Sequence, residues 1–115
     1  MKPIRNSAKA LIIRDGRLLC IRNVSYKNET YYLLPGGGQE FGETITAALE
    51  RECMEELGMR VAIKTLRYVR DYIGRNHAFR EIHEHTHQVE YMFICDLIDA
   101  SETPQSRTPD TAQTG

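Results

Sequence analysis

Residues 33–59 read LLPGGGQEFGETITAALERECMEELGM, and the rest of the chain is organised around this stretch. It begins with a glycine-rich turn over residues 35–38, where the lack of side chains lets the backbone pass close to a ligand. Thr44 is a favourable N-cap and Gly58 is a favourable C-terminal stop, so the pattern predicts a helix over residues 44–57. We therefore expect a helix that follows directly on a glycine turn.

Three carboxylates share one face of the predicted helix. At about 100° per residue, Glu52, Glu55 and Glu56 fall within roughly 100° of one another. Adjacent carboxylates repel unless a cation lies among them, and ligation by oxygen atoms alone suits a hard ion such as Mg²⁺ or Mn²⁺. A solvated acidic face is the alternative, but the preceding glycine turn and Arg51 within the acidic run favour a metal site.

The spacing of these residues is similar to the signature of the Nudix hydrolase family. The matching positions are separated by five, seven, one and one intervening residues: Gly37, Glu43, Arg51-Glu52-Cys53, Glu55-Glu56 and Gly58-Met59. All seven single-residue positions of the signature match. Cys53 and Met59 stand where the family usually has an aliphatic residue, and both are apolar enough to pack there.

The resemblance implies a fold and an activity. The fold would be an α/β/α sandwich of the α+β class, built around a mixed β-sheet and the helix of the signature. The activity would be Mg²⁺-dependent hydrolysis, with Mn²⁺ as the other candidate ion, of the pyrophosphate bond in a nucleoside diphosphate linked to another moiety. That substrate would be a nucleotide sugar such as ADP-ribose, or a modified nucleoside triphosphate. A non-catalytic nucleotide-sensing module and an interaction unit of Nudix origin are the alternatives.

Residue roles follow from the match to the signature. The predicted metal ligands are Glu52, Glu55, Glu56 and the backbone carbonyl of Gly37. Glu43 and Arg51 complete the predicted catalytic set as an internal pair that fixes the turn against the helix. One of the helix carboxylates, or a glutamate from a loop, would accept the proton of the attacking water.

Composition limits the other classes of function. A chain of 115 residues forms one small domain, and its formal charge of −1 gives no general attraction to nucleic acid or to an anionic membrane. Cys20, Cys53 and Cys95 are predicted to be buried free thiols in a reducing compartment. With no apolar run long enough for a membrane span and no signal-peptide core, we expect a soluble cytoplasmic protein whose partner is a small nucleotide.

Before the glycine turn, the sequence predicts mainly strands. Residues 7–14 and 17–23 are β-rich runs on either side of Asp15-Gly16, a dipeptide typical of a tight hairpin turn. Residues 24–30 are predicted to be a surface loop. A short strand over residues 31–34 carries Tyr31 and Tyr32, either of which fills an aromatic position of the family, and Tyr32 is the candidate contact with the substrate base.

After the helix, two strands are predicted, one over residues 60–73 that contains a bulge and one over residues 85–98 that is apolar on both faces. Arg67 and Arg70 on the first are candidate substrate-binding residues, although exposed strand arginines are common. On the second strand, Glu90 is a further candidate, because burying an acid in an otherwise apolar strand is unfavourable unless the acid has a polar partner.

The polar segment between these two strands, residues 74–84, is expected to close over the ligand. The family often supplies one more carboxylate from this half of the chain, and Glu81, Glu84 and Glu90 are equal candidates for it.

The end of the chain has a different composition. Residues 100–115 are polar and rich in turn-forming residues, so we predict a Nudix-like domain over residues 1–99 and a disordered segment after it. The family's fold normally continues into another strand and a C-terminal helix that packs on the sheet, and this sequence has neither. We expect either a truncated sequence or a homodimer in which a second subunit supplies the missing layer.

Overall fold

Eight strands and one helix form the regular structure of the described residues, 3–74 and 86–98, in the computed structural model. In chain order they are β1 (Arg5–Leu11), β2 (Ile13–Arg14), β3 (Arg17–Leu18), β4 (Ile21–Val24), β5 (Thr30–Leu33), β6 (Gly36–Gly38), α1 (Ile45–Leu57), β7 (Val61–Ile73) and β8 (His87–Leu97). None of the described helical structure is long and apolar enough to cross a membrane.

The main sheet is mixed and has four strands in the order β6-β1-β8-β7. In it, β1 pairs antiparallel with β6 and parallel with β8, and β8 pairs antiparallel with β7. Two smaller ladders join β2 to β3 and β4 to β5. A mixed sheet beside one described helix agrees with the predicted fold class.

The helix α1 begins and ends where the sequence predicts. Thr44 is the N-cap, and its Oγ1 accepts a hydrogen bond of 3.1 Å from the backbone N–H of Ala47. At the other end Gly58 adopts the left-handed conformation, with φ 69°, and its N–H donates to the carbonyl oxygen of Met54 at 3.0 Å. Both caps satisfy backbone groups that the helix ends leave without partners.

One face of the main sheet packs against α1. The buried side chains of this core come from α1, β1 and β8, and include Leu49, Cys53, Leu57, Ala8, Ala10, Phe93 and Cys95. The small side chains of Ala8 and Ala10 are completely buried and let the helix approach the central strand closely. Burying a side chain such as Leu49 contributes about 1.5–3 kcal/mol relative to leaving it exposed. Packing of α1 on β1 thus holds the helix beside the glycine strand β6.

The glycine-rich segment is a strand, and the prediction of a turn over residues 35–38 was wrong. Residues of β6 pair with β1, with Gly36 opposite Lys9 and Gly38 opposite Ser7. A Cβ atom at Gly36, where φ is 134°, would overlap the carbonyl oxygen of Ala8. The lack of a side chain therefore serves the approach of two strands, which the sequence pattern did not distinguish from a turn.

The predicted N-terminal hairpin is correct only at its tip. Asp15 and Gly16, with φ of 53° and 72°, form the turn, and the ladder of β2 and β3 holds two residues on each side. Beyond this tip the chain pairs elsewhere, because β1 already has β6 and β8 on its two edges while β4 pairs with β5.

The two long strands match their predictions except in burial. Register shifts interrupt the pairing of β7 with β8 at Ile63/Thr65 and at Leu66/Tyr68, as the predicted bulge requires. On β8, Tyr91, Phe93 and Cys95 pack towards the core, but Ile94 on the other face is 38% exposed. On that same face Met92 is buried, at 9% exposure, so the prediction of burial on both faces is correct at Met92 and wrong at Ile94.

The remaining predictions concern the three cysteines and the segments outside the described residues. Cys53 and Cys95 are buried free thiols as predicted, whereas Cys20 is only partly buried. Glu81 and Glu84, the rest of the 75–85 segment and the predicted disordered segment over residues 100–115 lie outside the described residues.

Candidate active site

Arg51 on α1 joins the helix to the loop before it. Its Nε and Nη2 donate to the Oε2 and Oε1 atoms of Glu43 at 3.0 and 2.8 Å, a bidentate ion pair. Nη2 also donates to the backbone carbonyl oxygen of Gly38 at 3.0 Å. The structure thereby brings together two residues of the predicted catalytic set and attaches α1 to β6.

The same guanidinium contacts two carboxylates of the helix. Its Nη1 donates to Oε1 of Glu52 at 3.2 Å and to Oε1 of Glu55 at 3.3 Å. The hydrogen bond to Glu43, followed by those to Glu55 and Glu52, raises the pKa of Arg51 despite partial burial. The Arg51 hydrogen bond likewise lowers the pKa of Glu43 to about 2, with help from the backbone N–H of Glu40. Glu43 and Arg51 are therefore both charged across the physiological range.

The loop of residues 39–43 is closed by hydrogen bonds around Glu43. The N–H of Glu40 donates to Glu43 Oε1 at 2.9 Å, and the N–H of Glu43 donates back to the Glu40 carbonyl at 3.1 Å. The side-chain amide of Gln39 donates to the Glu43 carbonyl at 2.8 Å. These bonds hold the carboxylate at the position where Arg51 contacts it.

Glu56 lies deeper than the other two carboxylates of the helix face. Its Oε1 accepts a hydrogen bond of 2.8 Å from the N–H of Gly36. Burial raises the pKa of Glu56 to about 7, and the nearby charges of Glu52 and Glu55 act in the same direction. A carboxylate in this setting becomes more stable in its charged form when a cation is beside it.

Glu52 packs directly on β6. A Cβ atom on Gly37 would lie 2.5 Å from Cδ of Glu52, so only glycine leaves the present space for this carboxylate. Glu55 is the most accessible of the three, with its side chain 56% exposed. In the described parts of the chain, no three acidic, histidine or cysteine side chains converge on one point in the way a preformed metal site requires.

A cavity of about 310 Å³ lies between β1, β5, β7 and β8. Its lining includes Lys9, Tyr32, Leu33, Leu34, Arg70, Tyr72, Thr86, Gln88 and Glu90. Three of the four residues predicted to bind substrate, Tyr32, Arg70 and Glu90, are thus brought together.

Within this cavity, the Tyr32 side chain is 61% exposed and can accept a stacked ring. Arg70 Nε donates to Glu90 Oε1 at 2.7 Å. The fourth predicted residue, Arg67, is not part of the lining, and its guanidinium lies 5.2 Å from the centre of the Tyr68 ring.

Lys9 is a lining residue that the sequence analysis missed. It occupies the middle of β1, between two completely buried alanines. A charged residue inside the run Ala8 to Ile13, which is otherwise apolar, was the available signal. Such a residue on a central strand requires a polar environment on one face of the sheet.

Comparisons with known proteins identify a family model and a curated relative that match this chain. A model of the NUDIX domain matches residues 3–114. An ADP-ribose pyrophosphatase from Methanocaldococcus jannaschii is 31% identical over 88 residues, which cover 76% of this chain and 48% of that protein. The chain therefore spans about half the length of this curated relative.

Solved structures show the same fold. A MutT NUDIX hydrolase from Burkholderia pseudomallei has a TM-score of 0.73 and 29% identity, with 98% of this chain and 81% of that chain covered. A NUDIX hydrolase from Nitrosomonas europaea has a TM-score of 0.70 and 20% identity, with 97% and 66% covered, and supports the fold alone.

Proposed function

This chain belongs to the Nudix hydrolase family, and from that membership we propose that it hydrolyses the pyrophosphate bond of a nucleoside diphosphate linked to another moiety. The proposed cofactor is Mg²⁺, with Mn²⁺ as the other candidate. The proposed substrate class is a nucleotide sugar such as ADP-ribose, or a modified nucleoside triphosphate. Similarity to a relative named ADP-ribose pyrophosphatase supports the first of these.

The network around Arg51 is the observation that carries the proposal. One guanidinium contacts Glu43, the Gly38 carbonyl and two carboxylates of α1. It thereby holds the acidic face of the helix beside β6, where glycine residues let backbone and substrate approach each other. Reactions at a diphosphate need mainly positioning and stabilisation of negative charge. This arrangement supplies the positioning, and a cation bound by the acidic face would supply the stabilisation.

The available ligands suit a hard divalent cation. Glu52, Glu55 and Glu56 offer only carboxylate oxygens, which Mg²⁺ and Mn²⁺ prefer. When bound, such a cation would shield the diphosphate and lower the pKa of the attacking water. Because Arg51 contacts Glu52 and Glu55, binding by these carboxylates requires them to turn from Arg51 towards the cation. Arg51 would keep its position meanwhile through the bidentate bond to Glu43.

The chain's own residues then have distinct tasks. Glu56 keeps α1 close to β6 through the N–H of Gly36. One carboxylate of the helix face accepts the proton of the attacking water. In the cavity, the exposed ring of Tyr32 stacks on the base, while Glu90 and Arg70 form hydrogen bonds with its polar edge. Arg67 is not included, because it lies outside this cavity.

A release assay tests the proposal. We would incubate the chain with ADP-ribose, a UDP-sugar and an oxidised nucleoside triphosphate, with and without Mg²⁺, and measure the nucleoside monophosphate formed. Glu55→Gln and Glu56→Gln should each lower metal-dependent turnover by about a hundredfold or more. Glu50→Gln is the matched control, since Glu50 is an exposed glutamate on the same helix and takes no part in the network.

The opposite result has a clear meaning. Absence of turnover on every substrate, with nucleotide binding retained, would reject the hydrolase and support the nucleotide-sensing alternative. Turnover that Glu55→Gln and Glu56→Gln leave unchanged would reject the assigned carboxylates.

We also propose a cytoplasmic location. Cys20, Cys53 and Cys95 are all free thiols, as is usual in a reducing compartment. Burial raises the pKa of Cys53 and raises that of Cys95 to about 11, so neither thiol is readily oxidised as a thiolate.

A further inference from the structure

Lys9 has an unusual position for a lysine. It lies in the middle of the central strand β1, half-buried, on the face of the sheet opposite Ala8 and Ala10. None of the ion pairs found among the described residues includes Lys9. Partial burial of an unpaired charge is unfavourable, so its presence calls for another partner.

Lys9 lies beside the cavity, on the strand that pairs with β6. Its side chain lines the cavity that contains Tyr32 and Glu90. Its backbone is opposite Gly36, whose N–H donates to Glu56 at 2.8 Å. The strand that carries Lys9 is therefore the direct neighbour of the strand that binds the Glu56 carboxylate.

Among the described residues of the lining, the other charges compensate each other. Arg70 Nε donates to Glu90 Oε1 at 2.7 Å, so the lining contains a paired cation and anion. Lys9 adds one positive charge to this neutral pair. A ligand that places a ring in the cavity and extends across β1 towards β6 would run beside Lys9, and the group that matches an ammonium there is an anion.

We propose that Lys9 binds the phosphate attached directly to the nucleoside of the substrate, at the passage from the cavity to the carboxylate face. The inference rests on the proposed function for the kind of substrate, a nucleoside 5′-phosphate derivative. Lys9 makes the site select such derivatives over nucleosides, because a phosphate oxygen accepts a charge-assisted hydrogen bond from the ammonium. The role proposed for Lys9 is in substrate specificity, through the charge of this phosphate.

Equilibrium binding in EDTA tests this role without any turnover. We would measure by calorimetry the affinity of AMP, GMP, CMP and UMP and of the four matching nucleosides. The wild-type chain should bind at least one monophosphate about tenfold or more tightly than its nucleoside. Lys9→Met should lose that preference while its affinity for the nucleoside stays within about twofold.

Two further variants make the result specific. Lys9→Arg keeps the charge and should retain most of the preference. Lys64→Met is the matched control, since Lys64 is exposed and pairs with Asp96 at 3.8 Å. It removes a lysine charge elsewhere and should leave the preference unchanged.

Several outcomes would overturn the proposal. Equal affinity of the wild-type chain for all four monophosphates and their nucleosides is one, and a preference that survives in Lys9→Met is another. Lys9→Gln provides a second uncharged variant, and failure of both uncharged variants to fold would assign Lys9 a structural role instead. The binding measurements are made in EDTA, so they do not depend on turnover. A chain that keeps the phosphate preference but hydrolyses nothing in the release assay would reject the proposed function, and the inference about Lys9 would stand.

Discussion

Arg51 and Glu43 are joined by two hydrogen bonds, from Nε to Oε2 at 3.0 Å and from Nη2 to Oε1 at 2.8 Å, across the start of α1. Glu43 belongs to the loop and Arg51 to the second turn of the helix. The pair therefore fixes where the acidic face lies relative to β6, and several predictions depend on it.

Arg51→Lys should lower kcat/KM by about 10- to 100-fold, as changes that act through the ligands of a metal often do. Lysine keeps the charge, but a single ammonium cannot contact both oxygens of Glu43 and also the carbonyl of Gly38. Steady-state kinetics with saturating Mg²⁺ measure the effect. Arg60→Lys, at an exposed position after the helix, is the control. A fully active Arg51→Lys enzyme would show that the bidentate geometry does not matter.

Glu43 should stabilise the fold in a pH-dependent way. Arg51 lowers its pKa from 4.5 to about 2, so its contribution is complete above about pH 4.5 and is lost as the pH falls towards 2. The difference in thermal midpoint between the wild type and Glu43→Gln should therefore be largest near neutral pH and shrink in acid. Glu40→Gln serves as a comparison, because Glu40 lies 3.9 Å from Arg51 and is exposed. A difference that does not change with pH would contradict the prediction.

The contribution of Glu56 to stability should change with pH in the opposite direction to that of Glu43. Burial raises its pKa from 4.5 to about 7, so the folded state binds its proton more tightly. Stability without metal should then fall as the pH rises from about 4.5 through 7, by something on the order of 2 kcal/mol. Glu56→Gln should remove this loss, since its amide oxygen can still accept from Gly36. Mg²⁺ should raise the thermal midpoint more at pH 8 than at pH 5, and equal shifts at both pH values would exclude Glu56 as a ligand.

Gly37→Ala should reduce activity far more than stability. The added Cβ would lie 2.5 Å from Cδ of Glu52 and would displace that carboxylate, which is the flexible end of a side chain. We expect a loss of about tenfold or more in kcat with little change in the thermal midpoint. Gly16→Ala is the contrasting variant. Gly16 has a φ of 72° and open space around it, so the substitution should lower the free energy of unfolding by about 1 kcal/mol and leave kcat unchanged.

Arg70→Met should raise KM by about tenfold or more, whereas Arg67→Met should not. Arg70 lines the cavity and pairs with Glu90, which is only 7% exposed, while Arg67 lies over Tyr68. Removing Arg70 also leaves the Glu90 charge without its partner, so Arg70→Met should be less stable than Arg67→Met by about 2 kcal/mol. Equal KM values for the two variants would show that the substrate does not use this cavity.

Local sequence alone determined the helix and its acidic face. Thr44 and Gly58 mark the ends of α1, and the spacing of Glu52, Glu55 and Glu56 places them together on any helix of 3.6 residues per turn. The tight turn at Asp15-Gly16 is local in the same sense. These features depend on backbone preferences and on bonds between residues a few positions apart, so one sequence suffices to predict them.

Only the tertiary structure decided the rest of the site. The glycines of residues 36–38 form a strand because they pair with β1, and at Gly36 the backbone of Ala8 leaves no space for a side chain. This contact spans nearly thirty residues of chain. The choice between Arg67 and Arg70 depends on pairing with β8: Arg67 falls at the register shift between Leu66 and Tyr68, whereas Arg70 lies opposite Glu90. The position of Lys9 beside the cavity likewise depends on the strands that pair around it. Side-chain alternation is a local rule, but strand partners and bulges are set by packing between distant segments, and the sequence pattern of one strand does not contain them.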